Sequence, residues 1–78
     1  MKNKVWIDKH GNEYFVAECQ CGVAQKYTSY VRWADNGKIW AYSFVGSDSM
    51  SKMEAQSALD TYAQLRRWTL KETTLCQV

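Results

Sequence analysis

The dipeptide Asn36-Gly37 lies between two runs of strand-forming residues, and no other local feature constrains the fold as tightly. Asn-Gly is the preferred pair for a two-residue type I′ turn, whose twist matches the twist of the strands that it joins. With these two residues as the loop, Trp33 lies opposite Trp40 across the hairpin. The sequence therefore predicts a β-hairpin whose register is set by its turn.

This register gives the hairpin two distinct faces, because successive side chains of a strand point to opposite sides. We expect the core face to carry the large aromatic residues Trp33, Trp40, Tyr42 and Phe44. We expect the other face to carry Tyr30, Arg32, Ala34, Ile39, Ala41 and Ser43. The aromatic face then packs against the rest of the domain.

Another hairpin is predicted nearer the N-terminus, where residues 5–8 and 13–21 form the strands and residues 9–12 form the turn. The turn contains a Gly and an Asn, which both suit positions with positive φ. The predicted register sets Asp8 opposite Glu13. One face then carries Val5, Ile7, Tyr14 and Val16, and the other carries Trp6, Phe15, Ala17 and Cys19.

A run of Gly, Ser and Asp residues interrupts the strand pattern, and an amphipathic helix is predicted to follow it. Ser51 and Glu54 have the spacing of a capping box, in which both side chains accept hydrogen bonds from backbone N–H groups at the start of a helix. The helix should run from about Lys52 to Arg67 or Trp68. Its apolar stripe consists of Ala55, Ala58, Leu59, Tyr62 and Leu65.

These elements predict an α+β domain in which an antiparallel sheet of two hairpins, about four strands, packs against one C-terminal helix. Residues 69–78 are rich in Thr and apolar residues and are expected to add a short terminal edge strand. We expect residues 1–78 to form a single small domain. A chain of this length buries only about 63% of its surface, so a large substrate pocket is not expected.

The chain contains three cysteines and no apolar run near the roughly 18 residues that a membrane span needs. Cys19 and Cys21 lie two apart on a predicted strand, where a disulfide between them would be badly strained. We expect Cys19, Cys21 and Cys76 to be reduced thiols, which are typical of a reducing compartment. A cytoplasmic protein without a membrane partner is the resulting expectation.

Few residues are suited to catalysis or metal binding. His10 is the only histidine and lies in a predicted turn. Asp8, His10 and Glu13 match no known metal loop, and the cysteines with His10 lack the two closely spaced pairs of a zinc site. The four glycines lie at predicted turns, so no phosphate-binding loop is present. We expect no enzymatic activity, no metal and no cofactor.

One amphipathic helix covers only one face of such a sheet, although both faces carry large apolar side chains. The uncovered face offers a partner surface, because Trp, Tyr and Arg are enriched at interface hot spots. The candidate partner-binding residues are Trp6, Tyr14, Tyr30, Arg32, Arg66 and Arg67. Coverage by the C-terminal tail, or by a second copy of the chain in a homodimer, is the alternative.

The order of strands followed by one helix, with the stretch from Ser51 to Ala63, resembles the layout of AP2-type and integrase arm-binding DNA modules. This chain has sequence for an extra strand and fewer Arg and Lys residues on its sheet than those modules. The resemblance implies a nucleic-acid-binding sheet that carries Tyr30, Arg32 and Lys38. A net charge of +2 is mild for that role.

In size, aromatic-rich sheet and lack of catalytic residues, the chain also resembles the small inhibitor proteins carried by phages, such as anti-CRISPR proteins. That resemblance implies a protein that binds another macromolecule and occludes one of its functional surfaces. We therefore expect a non-enzymatic inhibitor or modulator of a protein or nucleoprotein complex. The alternative is an AP2-like nucleic-acid-binding module.

Overall fold

The computed structural model describes residues 2–19, 26–44 and 46–74, with side chains described between Lys4 and Lys71. It contains a five-stranded antiparallel sheet and one helix, so the predicted α+β layout is confirmed. The elements are β1 (Lys2–Ile7), β2 (Glu13–Glu18), β3 (Tyr27–Arg32), β4 (Ile39–Ala41), α1 (Lys52–Leu65) and β5 (Thr69–Thr74). The strand order is β4-β3-β2-β1-β5, so the strand after the helix forms an edge beside β1.

The pairing of β1 with β2 differs by one residue from the predicted register. Trp6 lies opposite Tyr14, and Ile7 lies opposite Glu13. A shift of one residue reverses which side chains share a face. Trp6 and Tyr14 therefore lie on the same side of the sheet, where the sequence had predicted opposite sides.

The tight turn between β1 and β2 explains this shift. The Asp8 N–H donates to the Asn12 carbonyl at 3.1 Å, and the Gly11 N–H donates to the Asp8 carbonyl at 3.1 Å. Three residues therefore form the loop, where four were expected. Gly11 has a φ of 86°, as a three-residue hairpin loop requires at its last position.

The β3–β4 hairpin is shifted by two residues from its predicted register. Val31 pairs with Trp40, and Trp33 lies beyond the ladder, where its N–H donates to the Lys38 carbonyl at 2.9 Å. The predicted pairing of Trp33 with Trp40 is wrong. A shift of two residues preserves the faces, so Tyr30, Arg32, Ile39 and Ala41 do lie opposite the core face.

The turn of this hairpin is not of type I′, which needs positive φ at both central residues. Gly37 has a φ of 70°, but Arg67 is the only non-glycine residue with positive φ in the described part of the chain. Asn36 instead accepts a hydrogen bond from the Lys38 N–H on its side-chain oxygen at 2.8 Å. This contact stabilises a four-residue loop over residues 34–37.

Trp40 is 59% exposed, so its predicted place in the core is wrong. It lies on the same side of the sheet as the helix but on the edge strand β4. Trp33, Tyr42 and Phe44 are half-buried and pack against the core, as expected. The exposure of Trp40 follows from its edge position, because α1 packs mainly on β2 and β3.

The helix begins where the sequence predicts, with Ser51 as N-cap accepting a hydrogen bond from the Glu54 N–H at 3.4 Å. It ends at Leu65, two to three residues earlier than predicted. Arg67 has a φ of 60°, and the Trp68 N–H donates to the Ala63 carbonyl at 2.9 Å. This pattern is a Schellman motif with Arg67 at the left-handed position.

No helix in the described ranges is long and apolar enough to span a membrane.

The core lies between α1 and the sheet. Its buried members are Trp6, Tyr14, Val31, Leu59 and Ala63, and Ala55 is also fully buried on the helix. Alanine at two of the inward positions lets the helix approach the sheet closely. An aromatic cluster of Tyr14, Tyr42, Phe44, Tyr62 and Trp68 continues the core toward the end of the helix.

Cys19 is disulfide-bonded, so the expectation of a reduced thiol at this position is wrong. The prediction relied on Cys19 being part of a strand, but β2 ends at Glu18. Cys21 and Cys76 lie outside the described residues. A disulfide is typical of oxidising compartments, which removes the support that reduced thiols gave to a cytoplasmic location.

Substitutions of Asp60 test the contacts that connect the helix to β1. Its carboxylate accepts from the Trp6 indole N–H at 2.9 Å and lies 3.2 Å from the Lys4 ammonium. We expect Asp60→Ala to lower the free energy of unfolding by about 1 to 3 kcal/mol, because the buried indole N–H loses its acceptor. Asp60→Asn keeps an acceptor oxygen and should lose less. Equal losses in urea denaturation would contradict this role for the indole hydrogen bond.

Ser29 is fully buried, and its hydroxyl has no hydrogen-bond partner among the described residues. Because an unpaired buried hydroxyl costs about 1 to 3 kcal/mol, Ser29→Ala should leave stability unchanged or raise it. The matched control is Thr28→Val, which removes a hydroxyl that donates to Asp48 and should be destabilising. Thermal unfolding of both variants makes the comparison. A similar loss in both would show that the Ser29 hydroxyl is satisfied.

Candidate binding surface

The sheet has one face that no helix of the described chain covers, here called the outer face. Trp6, Tyr14 and Val31 point into the core with α1, so their neighbours along each strand point the other way. The outer face includes Val5, Ile7, Glu13, Phe15, Tyr30, Arg32, Ile39, Ala41, Thr69 and Lys71. It is this surface that carries Tyr30 and Arg32 from the predicted contact residues.

An aromatic pair lies in the middle of the outer face. Phe15 on β2 is directly opposite Tyr30 on β3, and their ring centroids are 6.0 Å apart with 27° between the planes. The Tyr30 hydroxyl donates to the Glu18 carbonyl at 3.4 Å. Both side chains are half-buried, and Ile39 beyond them is 48% exposed. Large, partly exposed apolar side chains held by neighbours are typical of interface anchors.

The charged residues of the outer face largely neutralise one another. Glu13 lies between two cations, with Arg32 at 3.7 Å and Lys71 at 4.0 Å from its carboxylate oxygens. All three side chains are solvent-accessible, so each pair contributes little to stability. Their effect is to leave the face with a single excess positive charge rather than a basic stripe.

A cleft opens between β1 and β2 where the two strands diverge. The described ladder pairs them only at Trp6–Tyr14 and Ile7–Glu13. The cleft has a volume of about 330 Å³ and is lined by Lys4, Val5, Glu13, Phe15, Val16, Arg32, Gln56 and Lys71. Most of these residues belong to the outer face, so the face contains a recess beside Phe15 rather than being flat.

Trp6 and Tyr14 are not part of this surface, contrary to their prediction as partner contacts. They are only 6% and 4% exposed and lie under the helix. The one-residue difference in the β1–β2 register is the cause, because it places both on the core face. Their side chains are therefore inaccessible to a partner in the folded protein.

Arg66 and Arg67 lie at the end of α1, in a different cleft from the one that Arg32 lines. The Arg66 guanidinium carbon is 4.9 Å from the centroid of the Tyr62 ring. The structure thus separates the six predicted residues into a core pair, an outer-face pair and a helix-end pair. Phe15, Ile39 and Lys71 join Tyr30 and Arg32 on the outer face although they were not among the predicted contacts.

Asp8 organises the β1–β2 turn. Its carboxylate accepts four hydrogen bonds, from the backbone N–H groups of His10 and Asn12, the Asn12 side-chain amide and the Tyr14 hydroxyl. Partial burial acts to raise the pKa of Asp8, but these hydrogen bonds outweigh it and hold the pKa below its usual value.

Within residues 2–19, 26–44 and 46–74, no three His, Cys, Asp or Glu side chains are placed to hold a metal.

Comparison with known proteins finds no relative of this chain. No protein family matches it, and neither the curated proteins nor the solved structures match. Evidence for its function therefore comes from its own surface chemistry.

The lowered pKa of Asp8 predicts an acid-sensitive turn. A carboxyl whose pKa is depressed by folding stabilises the protein fully above its unfolded pKa, and this contribution is lost as the pH falls through the folded pKa. The stability difference between the wild type and Asp8→Asn should thus be largest near about pH 7 and vanish near about pH 2. Thermal unfolding across this range measures it. A difference that is independent of pH would mean that the carboxylate charge is not what the turn requires.

Proposed function

We propose that the protein is a non-enzymatic binding module that docks on another protein through the outer face and modulates it by occluding a functional surface. The Phe15–Tyr30 stack carries this proposal, because it holds two half-buried aromatic rings on a sheet face that α1 leaves open. The partner is a protein that acts alone or within a nucleoprotein complex. Its matching surface has an apolar centre.

The charge pairing on the outer face favours a protein over a nucleic acid as the occupant of this surface. Lys and Arg side chains that contact phosphates release the counterions condensed on the nucleic acid, so binding needs cations that are available for this contact. Here Arg32 and Lys71 both lie beside Glu13, whose negative charge would repel a phosphate backbone. An AP2-like use of the sheet is thus the weaker candidate.

The recess between β1 and β2 supports binding by occlusion. Hot spots cluster where a side chain of one partner fills a pocket of the other and water is excluded. The recess beside Phe15 has apolar walls from Val5 and Val16 and a charged rim from Glu13 and its cations. A partner side chain in this recess would anchor the domain across the surface that it covers.

The test uses two outer-face variants and one matched control. The tagged wild type captures partners from cells that contain the protein, with and without nuclease, and the affinity of each identified partner is then measured. Tyr30→Ala and Ile39→Ala should each weaken binding by more than about 1 kcal/mol. Met53→Ala removes an 81% exposed apolar side chain from the helix and should have no effect.

Unfolding measurements on the same variants separate binding from folding. Ile39→Ala should leave stability nearly unchanged, since half of its surface is already exposed. The proposal fails if a partner is captured but binds both outer-face variants as tightly as the wild type. It also fails if sedimentation shows a homodimer that these substitutions dissociate, because the outer face then serves self-association.

A further inference from the structure

A second surface lies where the β1–β2 turn meets the end of α1, here called the basic cleft. It has a volume of about 430 Å³ and is lined by Asp8, Lys9, His10, Arg66, Arg67 and Trp68. Three of these six residues are permanent cations, and all three are exposed. The cleft therefore combines a local excess of positive charge with an aromatic wall.

The cations of the basic cleft differ from most others in having no carboxylate partner. Lys4, Lys26, Arg32 and Lys71 each form an ion pair with an Asp or Glu. Lys9, Arg66 and Arg67 form none within the described residues. The one acidic group of the cleft, Asp8, directs its carboxylate into its own turn through four hydrogen bonds.

Arg67 is also held in a strained backbone conformation. Its φ of 60° lies in the left-handed region, at the position of a Schellman motif where glycine is preferred. A non-glycine residue there is destabilising, and such strain is concentrated at functional sites. Arg67 therefore holds a charged side chain at a position where glycine would be the more stable choice.

A neighbouring cleft provides exposed aromatic surface. It has a volume of about 470 Å³ and includes His10, Trp33 and Trp40, with Asp35 as its one acidic residue. His10 lines both clefts, so the two are adjacent. Trp40 is 59% exposed and contributes little to the core. The cations of the basic cleft and the exposed indole of the neighbouring cleft match the phosphates and bases of a single strand, which bind by charge neutralisation and by stacking.

We propose that this end of the molecule binds single-stranded nucleic acid. Lys9, Arg66 and Arg67 contact successive phosphates, and a base stacks on Trp40. This site is separate from the outer face, so it goes beyond the proposed protein-binding function and does not depend on it. The proposed site also differs from the nucleic-acid-binding sheet that the sequence suggested, because on the sheet Arg32 and Lys71 are paired with Glu13.

The test measures binding of a fluorescein-labelled oligothymidylate of about ten nucleotides by fluorescence anisotropy at several salt concentrations. Three phosphate contacts predict a slope of about −2 for log K against log salt concentration, at about 0.7 per contact for single strands. A polyglutamate peptide with the same label, measured separately, shows how tightly an anion without bases binds. Binding of the oligonucleotide should be the tighter of the two.

Arg67→Gly gives two opposite effects that a purely structural role would not produce. Relief of the left-handed strain should raise the midpoint of thermal unfolding by a few degrees. Loss of one phosphate contact should weaken oligonucleotide binding about fivefold at about 0.1 M salt and reduce the slope by about 0.7. Lys52→Gln, which neutralises an exposed lysine at the opposite end of the helix, is the matched control and should change neither.

Trp40→Ala tests the stacking contact. Because a stacked base is worth about 1 to 3 kcal/mol, this variant should bind the oligonucleotide about 5- to 150-fold more weakly while remaining folded. Met53→Ala is its control. Undiminished binding by both Trp40→Ala and Arg67→Gly, or equal affinity for polyglutamate, would overturn the proposal. Failure of the outer-face proposal is distinguishable, since Ile39→Ala should not alter oligonucleotide binding.

Discussion

Tyr14 is the residue on which the arrangement of the other elements depends. Its ring stacks on Trp68 with a centroid separation of 3.9 Å and meets the edge of Tyr42 at 4.9 Å, while its hydroxyl donates to Asp8 at 2.8 Å. Burial and this hydrogen bond raise the pKa of Tyr14 and so favour the protonated phenol, which is the donor. With Trp68 fixed on Tyr14, the chain leaving α1 is directed to begin β5 at Thr69, beside β1.

The sequence pattern predicted the two hairpins, the helix and its N-cap because these depend on local propensity and periodicity. It did not predict the registers, because each depends on a side chain that bonds to the backbone of its own turn. Asp8 shortens one loop and Asn36 shapes the other. A shift of one residue moved Tyr14 from the candidate surface into the core. The shift of two residues in the β3–β4 register left Tyr30 and Arg32 on the expected face.

The parts of the outer face that the sequence missed depend on pairings for which it predicted no register. Phe15 lies opposite Tyr30 through the pairing of β2 with β3, and Lys71 enters that face through the pairing of β5 with β1. The pairing of a terminal strand with the first one is a long-range contact that no local pattern encodes. The extent to which the helix covers the sheet, by contrast, follows from the width of a helix and the spacing of strands. A helix about 10 to 12 Å wide covers about two strands spaced about 4.8 Å apart, which leaves Trp40 and Leu70 on the edge strands exposed.

A net charge of +2 gives no indication of nucleic-acid binding, because electrostatic recognition depends on where unpaired charges lie. Glu13, Asp48 and Asp60 pair with cations at the sheet and beside the helix start, so these regions are nearly neutral. Among the described side chains, Asp8 is the one acidic group that lines the cleft with Arg66 and Arg67, and its carboxylate is hydrogen-bonded within its own turn. Carboxylate placement thus divides a mildly basic chain into an aromatic, nearly neutral face and a cationic end. That separation is the basis for proposing two different kinds of partner for so small a domain.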